Sequence, residues 1–160
     1  MWESLKPLAA TLGHSPLGLW LGKSTWRIAL LLTFHLLGLT ILVGSLFVSS
    51  LHLMGLIARQ KPVPAMARDI RPGLAIGLTL MLASGFLIFT GGAVEYFDTP
   101  WFRTKMEVLL VALLFHFLWY RRVTAAPDGR FGPTVYRLTG ALTLLLWFGV
   151  AFAGRAIGYF

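Results

Sequence analysis

Residues 27–59 read RIALLLTFHLLGLTILVGSLFVSSLHLMGLIAR. Between Arg27 and Arg59 lie 31 residues without a formal charge, His35 and His52 being counted as neutral. A bilayer core needs only about 20 apolar residues in a helix, so this run crosses a membrane and either tilts or projects beyond it. Three further apolar runs follow, over about 74–96, 102–120 and 136–157. The stretches between them carry helix breakers: Pro62, Pro64 and Pro72, then Asp98, Thr99 and Pro100, then Pro127, Asp128, Gly129, Gly132 and Pro133. The expected fold is all-α: an integral membrane four-helix bundle over 27–160, preceded by an amphipathic interfacial segment over 1–26.

Composition points the same way. The chain is 57% hydrophobic and 12% charged over 160 residues, against about 25% charged in soluble domains. Mean hydropathy is +0.75. So few charges would leave a soluble domain's surface uncovered, and so many apolar residues exclude a disordered chain. The absence of cysteine excludes disulfides, iron–sulfur clusters, thiolate zinc sites and cysteine nucleophiles. The net charge of +8 falls in short loops between apolar runs. There it sets topology rather than marking a nucleic-acid surface.

In the first 26 residues, Trp2, Leu5, Leu8, Ala9 and Leu12 recur at helical spacing opposite Glu3 and Lys6. Ser15 and Pro16 read as the N-cap and first position of a second short helix. Glu3 stands where a secretory leader would carry basic residues, so a cleavable signal peptide is not expected. For orientation, Arg59, Lys61, Arg68, Arg71, Arg121, Arg122, Arg130 and Arg137 fall on one side. Lys6, Lys23, Arg27, Arg103, Lys105 and Arg155 fall on the other. Eight against six places the more basic loops in the cytoplasm and both termini outside, in a bacterial cytoplasmic (inner) membrane.

Three of the four histidines lie within spans: His35 and His52 on the first, His116 on the third. Ionisable groups at such depth are costly and point to function; the plainer alternative is hydrogen bonding between helices. His52 precedes Arg59 by seven residues and His116 precedes Arg121 by five. At 1.5 Å per residue both sit roughly 8–10 Å inside the basic loops, on helices running the same way. Two level imidazoles on two helices suit the axial positions of a haem iron better than a zinc site, which wants four ligands. His35 is about 25 Å from His52 along the helix, near the other face. Lys105 is level with it, and shares a face of the third helix with His116, eleven residues on. Lys105 would neutralise a haem propionate, act on a substrate, or simply reach the headgroups. Glu107, the acidic residue within a predicted span, would pair with Arg103, face water or relay a proton. Metal-binding candidates are therefore His35, His52 and His116, and catalytic candidates Lys105 and Glu107. Met54 and Met106 are too sparse for a dense metal-passing cluster.

The first span contains FHLLGLTILVGSLFVSSLHLMGL (34–56) and the third, with its lead-in, DTPWFRTKMEVLLVALLFHFLWYRR (98–122). A histidine with glycine three residues later, then a lysine with histidine eleven residues later, resembles the HemJ-type protoporphyrinogen oxidases and the related CopD-like membrane domains. The resemblance extends over roughly residues 30–122. It implies a haem-binding four-helix membrane protein, with the functional first-helix His and third-helix Lys of the HemJ type falling on His35 and Lys105, and the later His on His116. His52 is additional to that pattern.

Three functions follow as expectations. The first is a haem b protein, with one haem or two, that carries electrons within or across the membrane and exchanges with quinone, a partner redox subunit or a second copy. The second is a HemJ-like oxidase of a porphyrin, using the His35 and Lys105 end. The third is a CopD-like metal-handling or structural subunit.

Overall fold

A computed structural model describes residues 2–158. Its elements are α1 (Trp2–Gly13), α2 (Pro16–Gly22), α3 (Thr25–Leu53), α4 (Val63–Gly91), α5 (Ala93–Asp98), α6 (Pro100–Phe115), a single π-helical turn (His116–Tyr120), α7 (Arg121–Ala125) and α8 (Pro133–Ala156). No strand occurs among the described residues. Four segments are long and apolar enough to span a bilayer: α3, α4, the continuous run Pro100–Ala125, and α8. The protein is a multi-pass all-α membrane bundle.

The second span begins earlier than the sequence pattern suggests. α4 starts at Val63, eleven residues before the apolar run, and carries Pro72 in its interior. Proline there removes one amide and the bond to the carbonyl four residues back. That loss is local, and a 29-residue helix packed along its length outweighs it. Pro64 lies in the first turn, where an amide would have no helical partner anyway. Arg68, Asp69 and Arg71 therefore ride on a helix rather than in a loop. The other breakers behave as read: α6 and α8 each begin at a proline, Pro100 and Pro133.

α3 is central. It packs most extensively against α4 and then against α8, which in turn packs on α6. Glycines make the α3–α4 seam close. A Cβ at Gly38 would stand 2.7 Å from the Met81 amide nitrogen, and one at Gly77 2.5 Å from that of Leu42. The backbones thus touch, as small residues allow between membrane helices. The core of the bundle joins Leu42, Leu46, Met81, Ala112, Trp147 and Val150. Outward, Trp26, Leu118, Leu145 and Phe152 are 69–85% exposed, an arrangement that only lipid contact makes inexpensive.

At one end, α1, α2 and α5 cap the bundle. Ser15 accepts a hydrogen bond from the Gly18 amide at 3.1 Å, and Pro16 opens α2, as the sequence predicts. α2 lies against the end of α4: a Cβ at Gly22 would be 2.7 Å from the Gly91 carbonyl oxygen. Ala9, Ala93, Phe97 and Phe102 form a second small core with Ile157 against it. Both ends of the described chain therefore meet at this end. At the opposite end lie the basic turns 54–62 and 126–132.

Candidate functional site

Near the capped end, His35 of α3 turns toward α4. Its Nδ1 lies 3.0 Å from the Met81 carbonyl oxygen and 3.1 Å from Ser84 Oγ. A carbonyl only accepts, so Nδ1 carries the proton and Nε2 the lone pair. The ring lies over Gly85, where a Cβ would stand 3.0 Å from His35 Cε1. Ser84 is itself held by the Leu80 carbonyl at 2.6 Å. Lys105 reaches in from α6 along α8: a Cβ at Gly154 would be 3.3 Å from both its Cε and its Nζ. No hydrogen bond or ion pair to Lys105 occurs among the described residues. The structure thus anchors His35 on α4 through Met81 and Ser84, while Lys105 of α6 lies against Gly154 of α8.

At the other end, His116 opens the π-helical turn, a distortion often found at functional positions. Its ring stacks on Tyr120, with centroids 4.9 Å apart and planes 18° from parallel. Trp147 stands edge-on at 6.5 Å. The Tyr120 hydroxyl meets Ser49 Oγ of α3 at 2.5 Å, so Tyr120 links the His116 ring to α3. His116 Nδ1 is buried without a partner among the described residues.

His52, in the last turn of α3, faces the 54–62 turn. Its Nδ1 donates to the Ile57 carbonyl at 3.2 Å, and its Nε2 is buried without a partner. His52 and His116 are both over nine-tenths buried, but the side chain bonded or stacked to His116 across to α3 is Tyr120 with Ser49, not His52. Glu107 is exposed and accepts a hydrogen bond from Trp2 Nε1 at 3.0 Å. Arg103 turns away from it, donating to the Phe97 carbonyl and lying 3.8 Å from Glu3 and 3.9 Å from Asp98. Among the described residues no three His, Cys, Asp or Glu side chains converge on a metal-sized point.

Ser84, Tyr120 and Tyr136 escaped the sequence reading as polar partners. Tyr120 stands four residues after His116, one helical turn on, which was the available signal. Ser84 and Gly85 were visible only as small residues, because nothing local says that they face a histidine 49 positions away.

No curated protein and no solved structure matches the chain. A family model matches residues 17–160, from the second residue of α2 onward. On that match the chain belongs to DUF6644, a family of unknown function.

Proposed function

We propose that this protein binds haem b and carries electrons in a bacterial inner membrane, with both termini outside and the basic turns in the cytoplasm. The observation that supports this is the His35 ring, fixed through Nδ1 on a backbone carbonyl, its Nε2 without a hydrogen-bond partner among the described residues. Metal-ligating histidines are held in this way, their second nitrogen oriented by a carbonyl or carboxylate. An ionisable side chain in a span without a counter-ion calls for an anionic partner. His35 would hold the iron and Lys105 a propionate. Gly85 and Gly154 leave room for the His35 ring and the Lys105 side chain to lie against their helices. Haem supplies one-electron chemistry at a potential set by ligand and burial. Electron exchange would be with quinone, a redox subunit or a second copy of the chain. A second haem would draw on His116, whose buried Nδ1 has no partner among the described residues.

The same lysine favours a second reading, a HemJ-like oxidation of a porphyrin whose carboxylates Lys105 would hold. The test is a reduced-minus-oxidised spectrum of the purified protein from haem-replete cells, with His35→Ala and Lys105→Met beside it. A Soret band is expected in wild type, lost in His35→Ala and shifted in potential in Lys105→Met. Folded wild-type protein without a Soret band refutes the proposal, and porphyrinogen oxidation by the purified protein separates the second reading from the first.

A further inference from the structure

At the basic end a cleft opens between the 54–62 and 126–132 turns. Its lining includes His52, Arg59, Lys61, Asp128, Tyr136 and Arg137. Two of these carry buried polar atoms without partners among the described residues: His52 Nε2 and the Tyr136 hydroxyl. The two residues are 6% and 9% exposed. A buried donor or acceptor left unmade is costly, and two beside one cleft suit a ligand that completes both.

Their chemistry defines that ligand. The Tyr136 hydroxyl can donate. His52 Nδ1 already donates to the Ile57 carbonyl, so Nε2 is an acceptor and needs an O–H or N–H from the ligand. Three cations line the cleft against one acid. Asp128 is turned to the α4 N-terminus, accepting from the Val63 amide at 3.4 Å. Lys61 is ion-paired with Asp69, and Arg59 Nε donates to the Gly55 carbonyl at 2.6 Å. Arg137 has no side-chain partner among the described residues and is exposed. The ligand is therefore anionic and carries a proton-donating oxygen beside its charge.

We propose that this cleft binds a phosphomonoester in its hydrogen-phosphate form. One anionic oxygen takes the Tyr136 hydroxyl and the Arg137 guanidinium, and the P–OH donates to His52 Nε2. The source is either a soluble phosphate or a lipid headgroup. The inference stands at the opposite end from the His35 site and does not depend on haem.

The test uses the purified full chain in detergent, titrated calorimetrically with inorganic phosphate and separately with sulfate. Sulfate has similar shape and charge but no O–H at neutral pH. Saturable phosphate binding is expected, about tenfold tighter than sulfate, the worth of one hydrogen bond to a buried acceptor. Tyr136→Phe keeps the ring and removes a hydroxyl that has no partner in the fold, so it should stay folded and weaken phosphate about tenfold. Arg137→Gln, at an exposed position, should do likewise. Repeating the phosphate titration in nanodiscs identifies the source. Loss of phosphate binding in phosphatidic acid discs, but not in phosphatidylcholine discs, assigns the site to a lipid headgroup, and equal binding in both assigns it to a soluble phosphate. Absence of phosphate binding in detergent, equal affinity for phosphate and sulfate, or unchanged affinity in Tyr136→Phe overturns the proposal.

Discussion

Replacing Gly77 by alanine adds one methyl group at the point where α3 and α4 touch. The new Cβ would lie 2.5 Å from the Leu42 amide nitrogen and 2.8 Å from its Cα, about 0.9 Å inside the 3.4 Å at which ordinary contact begins. Both atoms are backbone, so no side chain can swing aside and the helices must part. A gap of 0.5–1 Å forfeits a quarter to a half of each dispersion contact across it, and overpacking typically costs about 1–3 kcal/mol. Alanine returns up to about 1 kcal/mol through its better helix propensity. The net expectation is a loss of about 1–2 kcal/mol. Gly44→Ala is the matched control: it lies in the same long helix as Leu42, faces outward, and its Cβ would meet nothing within 4 Å. It should gain about 0.5–1 kcal/mol. The parting helices would also stretch the bonds from His35 to Met81 and Ser84, because His35 stands one turn from Gly38 on the same seam. Reversible unfolding in mixed micelles, followed by circular dichroism, measures the stabilities. If Gly77→Ala proves as stable as Gly44→Ala, the close backbone seam does not exist and the anchoring of His35 loses its basis.

The buried Ser49–Tyr120 bond gives a double-mutant test: Ser49→Ala strands the Tyr120 hydroxyl and should cost about 1–3 kcal/mol, while Tyr120→Phe costs less because Ser49 can bond back to its own helix. The double variant should recover part of the Ser49→Ala loss; additive losses in the same unfolding assay would contradict the bond. Lys6 bonds to Asp98 at 3.1 Å and Glu3 at 3.2 Å, and these carboxylates, Asp98 first, hold its ammonium above the usual 10.5. A raised folded value means that the contribution is complete below pH 10.5 and disappears as pH climbs through the higher one. α1 should therefore become more open to an alkaline protease above that pH, and Lys6→Met should be equally open at pH 9; identical cleavage profiles for the two proteins would count against the contact.

The four spans were legible because the bilayer demands about 20 apolar residues per crossing, a signal carried by composition alone. Ser15 and Pro16 announced α2 because capping is local chemistry. Approximate depth along each span was also readable, since it follows from counting residues along a helix. Rotation about the helix axis was not. Apolar residues lie on every side of α3, so no polar face marks that His35 turns to Met81 and Ser84, or that His52 turns to the 54–62 turn. Pro72 misled for a related reason: local propensity marks it as a breaker, whereas packing along α4 decides that the helix continues. Tertiary contact alone determined that Tyr120 lies between His116 and α3, and that the 54–62 and 126–132 turns line one cleft with Tyr136. Such pairings depend on which helices become neighbours, and in lipid that choice rests on backbone approach at glycines such as Gly38 and Gly77, not on the hydrophobic pattern.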